Sequence, residues 1–85
     1  MPPLPSFATR LKASMDARGL DAPALADAMH IHASAVYRLT SGARVPSVDT
    51  LAKLADALGW DSAMRGDMLT LAAKRRMADA DRGAQ

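Results

Sequence analysis

Apolar side chains recur at helical spacing near the start of the chain. One face of a predicted first helix carries three large apolar residues at intervals of four: Phe7, Leu11 and Met15. Ser6 precedes this stripe as a favourable N-cap, and Gly19 follows it as a left-handed terminator. The pattern predicts a helix from about Phe7 to Arg18, preceded by a leader over residues 1–6, where three prolines disfavour helix.

Two shorter helical segments come next. Asp21 is a favourable N-cap for a second helix from about Ala22 to Met29. After the segment His30-Ile31-His32, the pattern predicts a third helix from about Ala33 to Ser41, which Gly42 ends. The short segment between the two helices indicates a tight turn, in which His30 has a structural role.

The clearest helical period in the chain follows the N-cap Ser47. Its apolar residues form one stripe on a fourth helix: Val48, Leu51, Leu54, Ala55 and Leu58. Gly59 ends this helix, and Asp61 or Ser62 can cap a fifth helix over residues 61–78. The polar residues 79–85 are predicted to form a frayed tail.

These patterns predict an all-α fold, a compact five-helix bundle. Its predicted core contains seven large apolar residues: Met15, Met29, Val36, Leu39, Leu51, Leu54 and Leu58. A chain of 85 residues forms one small domain, and the absence of cysteine excludes disulfides and thiolate metal sites. His30 and His32 lie two apart, unlike the i, i+4 pair of a helical zinc motif. We therefore predict no metal and no cofactor, and expect packing or self-association to supply the stability.

Charge and hydropathy narrow the function further. With 11 basic and 9 acidic residues, the net charge of +2 does not by itself mark a nucleic-acid binder. No apolar run approaches the ~18 residues of a membrane span, and no signal peptide is evident, so we expect a cytoplasmic protein without membrane contact. The sequence contains no nucleophile–base arrangement, phosphate-cradling glycine loop or metal-ligand cluster, so we predict that it is not an enzyme.

The second and third helices form a candidate helix-turn-helix. In such a motif the first helix braces the phosphate backbone, with its N-terminal amides towards a phosphate, and the second enters the major groove. The stretch LADAMHIHASAVYRLTSGARVPSVDTLAKLADALGW resembles the Cro/lambda-repressor (XRE-type) helix-turn-helix family, over about residues 7–60. The matching residues are in register: Gly19-Leu20, Leu25-Ala26, Val36, Leu39, Gly42, Pro46-Ser47, Leu51, Leu54-Ala55 and Leu58-Gly59. The resemblance implies a lambda-repressor-like bundle that binds double-stranded DNA, usually as a homodimer.

The chain departs from the family pattern at four positions. Ala22 stands where the family usually has a phosphate-holding Gln, and His30 stands where its turn usually has Gly. Met15 and Thr40 replace an Arg–Glu pair that the family commonly has. Because both partners are replaced together, no buried charge is left unpaired, and we predict that the domain still folds.

The resemblance also places the DNA-binding residues. The outward positions of the third helix, together with Arg44 in the following loop, are the predicted contacts: His32, Ala33, Ser34, Tyr37, Arg38, Ser41 and Arg44. Arg38 can make a bidentate contact to guanine or reach a phosphate, and Ala33 offers only a methyl contact. Arg44 fits a phosphate clamp, to which Lys53 could add.

The fifth helix carries more apolar side chains than one side of a small bundle needs. Six residues form the predicted dimer interface: Trp60, Met64, Met68, Leu69, Leu71 and Ala72. The helix either closes the core or makes a two-fold interface between copies, and we favour the interface. Two recognition helices would then lie about 34 Å apart on a palindromic site.

Two functions remain open. The first is a small bacterial or phage transcriptional regulator, a repressor that binds a palindromic operator as a homodimer. The alternative is a helix-turn-helix fold used as a protein-interaction module, for example of antitoxin type, with weak or no DNA binding. A positive stripe joining Arg18, Arg38, Arg44 and Lys53 would favour DNA, and a mixed or apolar face would favour a protein partner.

Overall fold

The computed structural model describes the backbone of residues 6–83 and the side chains of residues 6–78. Five helices follow one another: α1 (Phe7–Ala17), α2 (Ala22–Met29), α3 (Ala33–Ser41), α4 (Val48–Leu58) and α5 (Ser62–Gly83). The predicted all-α fold is confirmed, and α1–α4 begin and end within one residue of their predicted bounds. Residues 1–5 of the predicted leader lie outside the described part of the chain.

The helices begin where the predicted caps stand. In each of three helices, the side-chain oxygen of the cap accepts a hydrogen bond from the backbone amide three positions later in the chain. The pairs are Ser6 Oγ with Thr9 at 3.2 Å, Asp21 Oδ1 with Ala24 at 2.9 Å, and Ser47 Oγ with Thr50 at 3.2 Å. At α5 the cap is Asp61, whose Oδ1 accepts the Met64 amide at 2.8 Å. Each bond satisfies an amide that has no partner within its helix.

The fifth helix is longer than the sequence indicated. α5 continues to Gly83, so the backbone of residues 79–83 is helical, where we expected a frayed tail. The segment contains no proline, and its alanine and arginine favour helix, although its two aspartates and its glycine do not. Residues 84 and 85 lie outside the described part of the chain.

The core draws on all five helices. All seven predicted core residues are buried, each at most 7% exposed. Phe7, Leu11, Leu25, Met68 and Ala72 complete much of the cluster, together with smaller alanines. Val48 belongs to the predicted apolar stripe but is 64% exposed, because it begins α4 and lies at the end of the stripe.

The packing of the helices leaves one face of α3 uncovered. α2 packs against α3 and α4, α1 packs against α3 and α5, and α5 also packs against α4. Val36 and Leu39 anchor α3 in this core at 0% and 2% exposure. The opposite face of α3 therefore points away from the bundle. Within the part of the chain that the structure describes, no helix has the length and hydropathy needed to cross a bilayer.

Candidate nucleic-acid interface

A left-handed residue makes the turn between α2 and α3. His30 has φ 56° and ψ 44°, and its amide donates to Asp27 O at 3.2 Å. The amide of Ile31 donates to Ala26 O at 3.0 Å, which closes the end of α2. This is the position at which the resembled family has Gly, a residue that adopts a positive φ without steric cost. His30 therefore has the structural position that the sequence indicated.

The free face of α3 carries four of the predicted contact residues. Ser34, Tyr37, Arg38 and Ser41 recur at i, i+3, i+4 and i+7 and are all exposed, Tyr37 at 56%. The structure thus brings these four side chains to one face of α3, a helix of 9 residues. Ala33 differs, because it is half-buried and packs against the core.

The two helices of the turn differ at their N-termini. The Asp21 carboxylate occupies the N-terminus of α2, where Pro23 has no amide to offer. Binding of a phosphate at this end of α2, which the sequence analysis expected, is therefore unfavourable, since a carboxylate already lies there. At α3, His32 is exposed and makes no side-chain cap hydrogen bond. The first amides of α3 are thus not capped by the His32 side chain.

The loop after α3 holds Arg44 close to the helix. The Arg44 amide donates to Arg38 O at 3.2 Å, and Ser41 Oγ donates to the same carbonyl at 3.1 Å. Both arginine side chains are exposed. Among the side chains of residues 6–78, the ion pairs are Arg10–Asp67 at 3.6 Å and Arg65–Asp56 at 3.2 Å, and neither involves Arg38 or Arg44.

Three further cations reach this loop from α5. Arg75 Nη2 donates to Gly42 O at 2.7 Å, and Arg76 Nη2 donates to Pro46 O. Lys74 lines the same depression as Arg44 and Arg75. Sequence reasoning missed these contacts, although the run Lys74-Arg75-Arg76 was a visible signal, because no pattern in the sequence shows which loop a helix crosses. We refer to Arg44, Lys74, Arg75 and Arg76 as the basic loop cluster.

A positive stripe of Arg18, Arg38, Arg44 and Lys53 was expected from the sequence, but the structure places Arg18 and Lys53 elsewhere. The Arg18 guanidinium lies over Gly59, at the junction of α1 with the turn between α4 and α5. Lys53 lines a depression that also contains His30 and Asp56, beside the end of α2. Arg44 is instead accompanied by the cations of α5. Part of the positive charge near α3 is therefore supplied by α5, which the sequence analysis assigned only to packing and dimerisation.

The predicted dimer interface is divided by the fold. Met68 and Ala72 are 0% exposed within the monomer, so the prediction that they lie in an interface between copies is wrong. Their spacing of four places both on the core-facing side of α5. Trp60 and Met64 are half-buried and bond to α1, through Trp60 Nε1 to Ser14 Oγ at 3.2 Å and Arg10 Nη2 to Met64 Sδ at 3.4 Å.

The two remaining predicted interface residues lie on different sides of α5. Leu71 is half-buried and lines the depression that contains Lys74. Leu69 is 46% exposed and lines a shallow apolar groove between α4 and α5, together with Val48, Ala52 and Trp60. We call these four residues the α4–α5 patch. Val48, which was not among the predicted interface residues, is the most exposed large side chain of this patch, at 64%.

Metal chemistry finds no support in the described side chains. Among residues 6–78 there is no group of three or more His, Asp or Glu side chains placed to hold an ion. No buried side-chain nitrogen or oxygen atom in the same range lacks a hydrogen-bond partner.

Comparison with known proteins identifies the segment that carries this surface. A family model described as "Helix-turn-helix domain" matches residues 6–68, which are 63 of the 85 residues. The match covers α1–α4 and the start of α5, and it is consistent with the XRE-type resemblance. No curated protein and no solved structure matches the chain. Lys74, Arg75 and Arg76 lie beyond the matched segment.

Proposed function

The chain belongs to the helix-turn-helix domain family, and we propose from this premise that it is a small sequence-specific DNA-binding transcriptional regulator. Domains of this family are typically not enzymes. In the proposed role the protein acts as a repressor, by occupying its operator and excluding polymerase. As a bacterial or phage regulator it would act in the cytoplasm, on the chromosome itself.

The free face of α3 is the observation that carries this proposal. Ser34, Tyr37, Arg38 and Ser41 lie together on it, and Arg44 follows directly in the loop. A helix that presents polar side chains beyond the bundle can enter a major groove, where such side chains meet base edges. Arg38 is the residue of this face with the geometry to contact guanine through two parallel hydrogen bonds. His32 and Ala33 are the proposed contacts at the start of the helix.

Two copies would form the active unit. We place the two-fold interface on the α4–α5 patch, because it combines exposed Val48 and Leu69 with half-buried Trp60. Apolar side chains that remain exposed in a monomer favour burial against a second copy. The two α3 helices would then lie about 34 Å apart, the spacing of successive major grooves on one side of the duplex.

Selection of bound duplexes from a random DNA pool tests this function. The proposal expects a palindromic sequence with half-sites about one helical turn apart. The recovered site should bind wild-type protein in a gel shift, and a scrambled duplex of equal length is the control. Failure to enrich any sequence, with no gel shift at low salt, would overturn the proposal.

Two substitutions at Arg38 separate base reading from phosphate contact. Arg38→Ala should weaken binding of the dimer to the selected site by about 2–6 kcal/mol, about 1–3 kcal/mol for each half-site, and relax the preference at one base pair per half-site. Arg38→Lys keeps the charge but loses the planar fork. If Arg38 reads guanine, the lysine variant also loses the base preference, as measured by competition with single-base variants of the site. A lysine variant that retains wild-type affinity and preference would show that Arg38 contacts only phosphate.

A second candidate function has its own support. Ala22 replaces the family's usual phosphate-holding residue, and the Asp21 carboxylate occupies the N-terminus of α2. Both features weaken one phosphate contact that helix-turn-helix proteins use. They favour a protein-interaction module in which the same surface binds a partner, for example of toxin type. An empty DNA selection together with a purified protein complex in which α3 is protected would establish this alternative.

A further inference from the structure

The loop between α3 and α4 carries Arg44, one of the proposed DNA contacts. The loop runs from Gly42, which ends α3, to Pro46, which lies just before the N-cap of α4. One backbone bond joins it to α3, from the Arg44 amide to Arg38 O at 3.2 Å. Because Arg44 stands in the middle of a segment without regular secondary structure, its exposed side chain is placed only as accurately as the loop itself is held.

The last third of the chain bonds to this loop at both of its ends. Two members of the basic loop cluster donate from α5 to loop carbonyls, Arg75 to Gly42 O at 2.7 Å and Arg76 to Pro46 O. Arg76 also lines a depression beside Arg44 and Pro46, so its side chain lies next to the loop. A carbonyl without such a donor bonds to water, which does not hold a loop in one position. The loop is thus held between α3 and α5.

The two bonds from α5 differ in their exposure to water. The bond from Arg75 is exposed, whereas the bond from Arg76 is partly buried. Pro46 is itself buried, and the neighbouring Val45 packs against the core. A hydrogen bond that is shielded from water is electrostatically stronger than an exposed one. Arg76 is therefore the residue of α5 whose removal should release the loop most.

We propose that Arg76 is a positioning residue, which holds the loop, and with it Arg44, in the position that contacts DNA. This inference rests on the proposed DNA-binding function and extends it to α5, beyond the matched residues 6–68. A loop that is already ordered loses little conformational freedom on binding, so its affinity for DNA rises without added charge. A chain with a net charge of +2 attracts DNA weakly at long range, so it gains most from such preorganisation.

Two substitutions at Arg76 measure the contribution of its hydrogen bond. Arg76→Met removes the donor and keeps an apolar stem. Binding to the selected site should weaken about 2- to 12-fold per half-site, and about 5- to 150-fold for the dimer, because both copies lose the bond. Arg76→Lys keeps a donor and should stay within about 2-fold of the wild-type affinity. Fluorescence anisotropy on the labelled site gives these values.

A double-mutant cycle with Arg44 distinguishes positioning from direct contact. If Arg76 acts through Arg44, Arg76→Met should change the affinity less than about 2-fold in an Arg44→Ala background. A residue that contacts DNA itself, or that only stabilises the fold, weakens binding equally in both backgrounds. The control is Lys12→Met, which removes one positive charge from an exposed position of α1 and should bind like wild type.

Amide hydrogen exchange in the DNA-free protein gives a second readout. Opening of the loop breaks the bond from the Arg44 amide to Arg38 O. Arg76→Met should therefore accelerate exchange at Arg44 about 2- to 12-fold, while the amide of Leu11 in the middle of α1 exchanges at the wild-type rate. Circular dichroism melting shows that each variant is folded.

The outcomes distinguish this inference from the proposed function. If wild-type protein binds its selected site but Arg76→Met has no effect, or has the same effect in both Arg44 backgrounds, the positioning role is overturned and the function stands. Unchanged exchange at Arg44 overturns the positioning role as well. If wild-type protein binds no DNA, the function falls and the positioning role falls with it, even where exchange at Arg44 responds to Arg76→Met.

Discussion

Met68 and Leu69 are neighbours in sequence, but the fold gives them opposite roles. Met68 is 0% exposed and belongs to the core, whereas Leu69 is 46% exposed in the α4–α5 patch. Replacing each by alanine should therefore change different quantities. Met68→Ala should lower the stability of the monomer, and Leu69→Ala should weaken the proposed homodimer.

The magnitudes follow from burial. Removing a fully buried methionine side chain costs about 2–5 kcal/mol, which includes the cavity that is left. This loss is a large share of the free energy of unfolding, which is roughly 4–13 kcal/mol for a domain of this length. Covering a side chain that is about half exposed provides about 1 kcal/mol per copy. Leu69 occurs twice in a two-fold interface, so Leu69→Ala should raise the dimer Kd about thirtyfold.

Urea unfolding at two protein concentrations that differ a hundredfold separates the two effects. A dimer gains about 2.7 kcal/mol of apparent stability across that range, and a monomer gains none. Met68→Ala should lower the free energy of unfolding at both concentrations. Leu69→Ala should lower the free energy of unfolding of the dilute, monomeric protein by only about 1 kcal/mol, because about half of the side chain is already covered in the monomer. Sedimentation velocity measures the dimer Kd directly.

Two results would refute this reasoning. Equal destabilisation of the dilute protein by both substitutions would show that the burial difference between the two residues is wrong. A wild-type protein that remains monomeric at every concentration would refute the proposed homodimer, while leaving the prediction for Met68 intact. Leu69→Met, which nearly preserves volume and hydrophobicity, is the control and should retain dimerisation.

Two further predictions concern local structure. His30→Gly should raise the free energy of unfolding by about 0.5–1 kcal/mol in thermal melts. A positive φ costs a residue with a side chain about 1–2 kcal/mol, and glycine avoids this cost but loses part of the gain through the greater entropy of its unfolded chain. His30→Ala should give no such gain, and equal effects of the two would contradict the backbone explanation. Trp60→Phe and Ser14→Ala should show a coupling energy of about 0.5–1.5 kcal/mol in a double-mutant cycle, because they share one hydrogen bond. Strict additivity would show that this bond contributes nothing.

Much of the fold was readable from local pattern. The caps Ser6, Asp21 and Ser47 and the spacing of apolar residues gave the bounds of four helices, because capping and amphipathic periodicity act within a few residues of chain. The polar run at the end of α5 misled this reading. Polarity indicates exposure, whereas helix formation also depends on propensity.

The proposed reading face was also local in origin. Ser34, Tyr37, Arg38 and Ser41 share one side of α3 because of helical geometry alone, and Val36 and Leu39 determine which side is buried. The resemblance supplied their expected role. Their contact with DNA stays a prediction, which the DNA selection and the Arg38 variants test.

The sequence by itself determined the five helices, most of the core and the face of α3 that stays free, since each depends on residues close together in the chain. Only the tertiary structure decided how α5 is used. It buried Met68 and Ala72, left Leu69 beside Val48, and brought Lys74, Arg75 and Arg76 to a loop about thirty residues earlier. Those outcomes depend on the direction in which one helix crosses the others. The packing of the whole core decides that direction, and no local pattern encodes it.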